Sequence, residues 1–376
     1  MARKYRSKTR LLYVDVSLLF PALILAGIGV AMVYSASSHI AAERFGNGAY
    51  FLKRQVLYVA LGAGLMVFLR YFPYRAFRAM AYFFLLLSFV LLGALYVKGI
   101  GYTAGGATRW LHIGPFSFQP SVFATFSLIV YLSYSLSKKK ENVEDFAIGF
   151  LPHVVVFIIL SLLVVMEPDF GTVMILGVIT SIMLFAAGVR MMHLLASCIF
   201  LLPVVVYYMF AAQYRVHRLI SFLDPWQYRN GSGYQIVHSL MAFGTGGIWG
   251  TGLGQGYQKL FYLPEPHTDF IFSVIGEELG LCGVIAIMFL YFVILWRGIV
   301  IARKADDLFA SLLALGLTSA IGLQVFVNTG VALGILPAKG LTLPFLSYGG
   351  TSLLFNMGAI GILMNIGQRC HDEEAW

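Results

Sequence analysis

Tyr262-Leu-Pro-Glu-Pro-His-Thr-Asp-Phe-Ile-Phe-Ser-Val-Ile-Gly-Glu-Glu-Leu279 is the stretch that decides how this chain is read. Pro264 and Pro266 hold the backbone extended and end whatever precedes them. Thr268 stands in the position of a helix cap, so the spacing predicts a helix starting at Asp269. From there the sequence stays mostly apolar for about the 20 residues that a membrane span needs. Asp269 would then sit where a loop enters a hydrophobic helix, with Glu277 and Glu278 about two turns deeper. Ionisable groups are costly there, and each is a functional-site hypothesis by default.

Composition carries this reading outward to the whole chain. Its 376 residues are 59% hydrophobic and 11% charged, against about 25% charged for a soluble domain. The expected class is an all-α polytopic membrane protein. Long apolar runs exclude a β-barrel, whose strands alternate apolar and polar residues. The net charge of +9 does not indicate nucleic acid, because most cations cluster at the ends of apolar segments, where they set topology. Cys198, Cys282 and Cys370 are scattered and form neither a metal spacing nor a disulfide framework. The basic start Arg3 to Arg10 leads into a segment of spanning length without a small-residue cleavage signal, so no cleavable signal peptide is expected.

About ten spans of suitable length are expected, near 15–35, 55–72, 78–98, 120–137, 147–166, 171–188, 191–212, 269–296, 307–330 and 343–366. With the N-terminus inside, the inner segments hold Arg3, Lys4, Arg6, Lys8, Arg10, Arg70, Arg75, Arg78, Lys138 to Lys140, Arg190, Arg297, Arg303, Lys304 and Arg369. That is the majority of the 26 Lys and Arg, and the positive-inside rule then places both termini in the cytoplasm. One domain, 1–376, is expected, with 213–267 as a large extracytoplasmic loop. Segments 99–120, 213–267 and 330–342 share the outer side with the Asp269 helix start. The long loop is too rich in apolar and aromatic residues to be disordered.

Each candidate residue has a plain structural reading beside the functional one. Asp269 is either a general base at the membrane boundary or a helix-start carboxylate favoured by the macrodipole. Glu277 and Glu278 lie too far along the helix to share a proton transfer with Asp269, and a partner for a buried cation or a polar contact between helices is their favoured reading. In Glu167-Pro-Asp-Phe-Gly-Thr172, Asp169 or Thr172 suits a cap for the next helix, with a supporting role at the site behind it. Arg109 and Trp110 follow a Gly-Gly-Ala-Thr run that lets backbone amides approach an anion, though a solvated loop cation fits as well. Lys339 precedes Gly-Leu-Thr-Leu-Pro-Phe-Leu-Ser-Tyr-Gly-Gly350, where Pro344 interrupts the start of the last span. Broken spans usually line a cavity. The glycine run from Gly244 to Gly256 has no nucleotide-fingerprint context. His39, His112, His217, His238 and His267 show no ligand spacing, so no metal site is expected.

Several blocks together resemble one family. They are Gly106-Ala-Thr-Arg-Trp-Leu111, Ile113-Gly-Pro-Phe-Ser-Phe-Gln-Pro-Ser121, Glu167-Pro-Asp-Phe-Gly-Thr172, Gly233-Tyr-Gln-Ile236, Gln258 to Phe272, Gly276-Glu-Glu-Leu-Gly280 and Lys339 to Gly350. This set is similar to the shape, elongation, division and sporulation (SEDS) proteins over nearly the whole chain, and the lysine in the last block resembles the cell-division members. The resemblance implies a SEDS-type fold and a peptidoglycan glycosyltransferase of the bacterial cytoplasmic membrane, acting at the division septum. It implies lipid II as substrate, polymerised into glycan strands at the outer face. A class B penicillin-binding protein and other division proteins would be partners, and nucleic acid would not. The family's essential aspartate falls on Asp269. Arg109, Lys339, Arg215, Arg218, His267 and Ser347 would bind substrate, with Glu277, Glu278, Asp169 and Trp110 in support. No cofactor is evident, and a divalent cation is compatible with the chemistry.

One departure stands out. The family's Gln-Pro-Ser is typically followed by Glu and, three residues later, Lys. Here Val122 and Thr125 occupy those positions. Residues three apart share a helix face, so the change removes opposite charges together. A lipid II transporter and a catalytically weak scaffold remain the competing readings.

Overall fold

The structure, a computed structural model, describes residues 15–97, 100–104, 107–113, 116–260 and 263–374. The basic cluster Arg3 to Arg10, Gly105-Gly106, Gly114-Pro115 and Phe261-Tyr262 lie outside the described residues, as do the side chains of Arg369 and Cys370. In chain order the elements are α1 (Val16–Phe45), α2 (Tyr50–Tyr71), the short α3 (Arg75–Ala79) and α4 (Ala81–Ala94). The strands β1 (Gly101–Ala104), β2 (Ala107–Ile113) and β3 (Phe116–Phe118) follow, then α5 (Pro120–Lys138). After them come α6 (Leu151–Met166), α7 (Phe170–Ala187), α8 (Met191–Phe210), α9 (Gln213–Leu223) and α10 (Tyr234–Gly246). Last are α11 (Ile271–Lys304), α12 (Leu308–Ala332) and α13 (Gly350–Glu374).

Among the described residues nine helices are long and apolar enough to cross a membrane, and α4 is a shorter apolar helix. Nine of the ten expected spans are matched by helices of spanning length, and the segment expected near 78–98 holds only the 14-residue α4; several boundaries have moved. The first helix runs on to Phe45, well past 35. The last begins only at Gly350, because Pro344 and the left-handed Phe345 (φ 65°) keep the preceding segment irregular. The helix expected at Asp269 begins at Ile271, and no side chain caps it. Thr268 instead donates its hydroxyl to the Glu265 carbonyl at 3.2 Å, so the capping expectation fails.

Two expected loops are structured. Residues 101–104, 107–113 and 116–118 form a three-stranded antiparallel sheet in the order β1-β2-β3, a small addition to the expected helical bundle. Tyr102 pairs with Trp110, and Ile113 with Phe116. The sheet is tied to the bundle by Thr351, whose hydroxyl accepts the Gln119 N–H and donates to the Ser117 carbonyl, both at 3.1 Å. Within 213–267, α9 and α10 occupy part of the expected loop.

The core lies where α11 meets α1, α10 and α12, and where α2 meets α13. Leu18, Leu25, Met32, Ile294, Leu313 and Met357 are buried there. Helix α8 packs on α7 and α9 while exposing Ile199, Phe200 and Tyr207, as a lipid-facing helix does. Helix α11 is broken at Gly280 (φ 65°), a conformation that favours glycine. A Cβ there would also lie 2.3 Å from the Gly250 backbone nitrogen. The break frees ladder groups, and the 247–252 segment satisfies them. Gly247 and Ile248 carbonyls accept from the Leu281 and Cys282 N–H groups, while Thr251 and Gly252 donate to the Glu277 and Glu278 carbonyls.

Candidate active site

A cavity of about 610 Å³ opens at the end of the bundle where the sheet, the Asp269 loop and the 333–349 segment meet. Its mouth is lined by Arg109, Trp110, Glu265, Asp269 and Thr342, with Tyr50, Arg54 and Tyr348 along another wall. Successive turns of α5 carry Gln119, Val122, Thr125 and Ile129 into it, a descent of about 15 Å at the helical rise. Gln324 and Asn356 form a polar belt at the side of Thr125, while Leu317, Ala320, Ile321 and Ala359 make the lining apolar elsewhere. Asn356 donates to Gln324 Oε1 and to Ser352 Oγ, both at 3.2 Å.

Asp269 is positioned through its backbone. Asn328 Nδ2 donates to the Asp269 carbonyl at 2.9 Å and to the Leu341 carbonyl at 2.6 Å, stapling the two segments that border the cavity. Gly340 allows this approach, since a Cβ there would sit 2.6 Å from Asp269 Oδ2. The carboxylate itself has no hydrogen-bond donor among the described residues. Burial pushes its pKa up to about 6, with the Glu265 charge adding to the rise and Arg109 and Lys339 opposing it. At neutral pH it is mostly ionised yet basic enough to accept a hydroxyl proton.

Two cations stand beside it. Lys339 Nζ is 3.7 Å from Asp169 Oδ1, an ion pair longer than a hydrogen bond. Its side chain lies across Gly171, where a Cβ would come within 1.2 Å of Nζ. Burial lowers the Lys339 pKa to about 8, with Arg109 in the same direction and Asp169 and Asp269 against it. Arg109, on β2, donates through Nε to the Glu167 carbonyl at 3.2 Å and through Nη2 to the Pro168 carbonyl at 2.5 Å. These contacts fix one edge of the guanidinium against the α6–α7 turn. Asp169 both faces Lys339 and caps α7, accepting from Thr172 N at 3.2 Å and Thr172 Oγ1 at 2.7 Å. Glu167 is buried with both carboxylate oxygens lacking a hydrogen-bond partner among the described residues. Burial and then Asp169 push its pKa up to about 8, so it is neutral at neutral pH and adds no charge to the turn.

The other expected site residues separate into two groups. Trp110 lines the cavity beside Tyr102. His267 does not line it. Its ring packs 4.5 Å from Phe51 and 5.8 Å from Tyr348, and burial lowers its pKa. Ser347 is also behind the wall. It donates to the Thr268 carbonyl at 2.5 Å and accepts from Leu343 N at 2.8 Å, so it pins two segments and is corrected from a substrate contact to a staple. Arg215 stacks over the Tyr208 ring at 3.6 Å and bonds the Tyr208 carbonyl. Arg218 sits one turn further along α9, and neither arginine lines the cavity, which corrects the expectation that they hold substrate there.

Glu277 and Glu278 are buried away from the cavity. Glu277 accepts from the Tyr257 and Gln258 N–H groups at 2.8 and 3.2 Å. Glu278 pairs with Lys259 Nζ at 2.5 Å and accepts from Ser35 Oγ at 2.7 Å and Gly254 N at 3.0 Å. They hold the 250–260 segment against α11 and α1. Sequence reasoning missed Arg54. Its local sequence, Phe51-Leu-Lys-Arg-Gln55, reads as an ordinary cationic span end, and only the packing of α2 against α13 turns it into the cavity.

The described arrangement can take a proton at Asp269 and neutralise an anion at Arg109 and Lys339. Among the described residues no three His, Cys, Asp or Glu side chains converge as a metal site. The family model described as "Cell cycle protein", that of FtsW, RodA and SpoVE, matches residues 16–371. A "Probable peptidoglycan glycosyltransferase FtsW" of Trichlorobacter lovleyi is 46% identical over 362 residues, covering 96% of this chain and 95% of that protein. "Stage V sporulation protein E" of Bacillus subtilis is 41% identical over 352 residues, covering 94% of this chain and 96% of that one. Among solved structures, a chain described under the structural coordination of polymerization and crosslinking by a peptidoglycan synthase complex matches with a TM-score of 0.78 and 28% identity, covering 96% of this chain and 99% of that chain. The chain belongs to the FtsW/RodA/SpoVE family of cell cycle proteins.

Proposed function

We propose that this member of the family is a peptidoglycan glycosyltransferase that polymerises lipid II into glycan strands. The observation that carries the reading is Asp269, a carboxylate without a hydrogen-bond donor, opening on a cavity that also holds Arg109 and lies beside Lys339. The names of its relatives support the same reaction class.

Strand growth joins two lipid-linked saccharides. Asp269 takes the proton of the acceptor's sugar hydroxyl, and that oxygen bonds to the donor's anomeric carbon. The bond from that carbon to the diphosphate oxygen breaks, and its electron pair leaves on the lipid diphosphate. Arg109 and Lys339 neutralise the charge that develops there. The diphosphate is itself the energy-rich leaving group, so no nucleotide fold is required.

The reaction belongs at the outer face of the bacterial cytoplasmic membrane, at the septum in a dividing cell, because lipid-linked donors present their sugars there. A class B penicillin-binding protein is the natural partner, since strands must be crosslinked as they form. Purified chain, with and without that transpeptidase, is incubated with lipid II and the products are resolved by size. Glycan strands support the proposal. Lipid II crossing a liposome bilayer without strands would replace it with a transporter.

A further inference from the structure

The cavity has a second cationic wall that the proposed chemistry does not use. Arg54 projects from α2 into it, stacked over the Tyr50 ring at 4.6 Å, with the Tyr348 phenol beside it on the same wall. These two contacts hold the guanidinium in place and leave donors free for an incoming anion. Phe45, Tyr50 and Tyr58 line the cavity around it, a mostly aromatic surface with one polar anchor, which is the usual build of an organic ligand site.

Stoichiometry asks for such a wall. Resting on the polymerase reading above, each catalytic encounter brings two lipid diphosphates into one chamber. The donor's diphosphate is attached to the carbon under attack, so it must lie close to Asp269, where Arg109 and Lys339 act on that carboxylate. The acceptor's diphosphate lies at the far end of its disaccharide from the attacking hydroxyl. It therefore needs a cation in the same cavity that is set apart from Asp269. Arg54 comes from α2, which packs on α13, whereas Arg109 comes from β2, so the cavity's two arginines stand on separate elements.

We infer that Arg54, held by Tyr50 and Tyr348, binds the diphosphate of the acceptor lipid II, with the surrounding aromatic rings as the platform for its sugar. Arg109 and Lys339 keep the donor. The two substrates are thereby distinguished by position although both are lipid diphosphates.

The test uses the full-length chain with its partner, a preformed lipid-linked strand held at saturation as donor, and lipid II varied as acceptor. Arg54→Ala should raise KM for lipid II about tenfold or more, the loss of a charge-assisted contact. Its kcat should stay within about threefold, because the transition-state contacts are untouched. Arg54→Lys should recover part of the loss, and Tyr348→Phe should raise KM by a smaller factor. Thermal melting of each variant reports folding, and Arg54→Lys keeps the result decidable should the alanine variant be unstable. An unchanged KM in Arg54→Ala, or a loss confined to kcat, overturns the assignment. A wild-type chain that binds lipid II and makes no strands overturns the polymerase reading itself. Normal strands from wild type with an unmoved KM in Arg54→Ala remove this subsite alone.

Discussion

Asp269 and the Glu277–Glu278 pair lie at and just beyond the start of one helix, and their surroundings are opposite. Glu277 accepts from two backbone N–H groups and Glu278 from Lys259, Ser35 and Gly254, so their charges are consumed in holding a loop. Asp269 has its backbone carbonyl held by Asn328 and its carboxylate left to the cavity. Buried acids with full partners support the fold, while an acid held only by its backbone is available for chemistry. The difference is one of partners more than of burial.

The sharpest way to break the comparison is to neutralise each acid in turn. Asp269→Asn should cost about a hundredfold to ten-thousandfold in strand synthesis, the range for a general base. Its melting temperature should be equal to or above that of wild type near neutral pH. The sign follows from the raised pKa. Asp269 binds its proton more tightly folded, at about 6, than at its ordinary 3.8. Stability from that proton is complete below the ordinary value and is lost as pH rises through about 6. Strands of normal yield from Asp269→Asn would remove it as the base.

Glu278→Ala should do the reverse. It strands Lys259, which is buried, at a cost of about 3–5 kcal/mol. Melting should fall sharply, and Glu278→Ala with Lys259→Met should recover much of the loss. A Glu278→Ala chain as stable as wild type, yet inactive, would give this acid a catalytic role and erase the contrast.

The two cations at the site offer a smaller effect. Lys339→Ala or Arg109→Ala should lower kcat by about tenfold to a hundredfold, against no change for Arg303→Ala at the opposite end of α11. Gly171→Ala should approach the Lys339→Ala result, because its Cβ takes the space of Lys339 Nζ. The profile of kcat/KM should rise through about pH 6 as Asp269 ionises and fall above about 8 as Lys339 loses its proton. A profile flat between those values in Lys339→Ala but still falling at high pH would assign the alkaline limb elsewhere.

The smallest expected effect is at Val122 and Thr125, which line the cavity one turn apart. Val122→Glu alone and Thr125→Lys alone each place a charge without its partner. Each should lower melting, by less than the Glu278 value because the cavity is open. The double variant should recover most of the loss. Strictly additive effects in melting and in strand synthesis would mean that the two positions do not interact.

Much of this was legible in the chain before any tertiary contact was known. Apolar runs interrupted by basic ends announce a multispan bundle, because a bilayer tolerates little else. Asp269 announced itself as an acid between two prolines and an apolar run. The helix start at Ile271 was misread because residues 266–270 are held in turns, with Thr268 bonded to the Glu265 carbonyl through both its N–H and its hydroxyl. The strands between 101 and 118 were not legible as such because each is short and the sequence between them is rich in glycine. Arg215 and Arg218 looked like site cations because only their side of the membrane was readable, and the Tyr208 ring claims the first of them.

By itself the sequence determined the class of fold, the approximate spans, the family blocks and the identity of the exceptional carboxylate. These depend on local apolar length and residue type, which the chain displays directly. Tertiary structure decided which charges share a chamber. It brought Arg109 and Asp269 into one cavity with Lys339 Nζ buried beside it, turned Arg54 inward, and sealed Glu277 and Glu278 into a loop clamp. The physical reason is that a charge's role is set by its partners and its dielectric surroundings, and in a bundle those partners come from helices far apart in sequence.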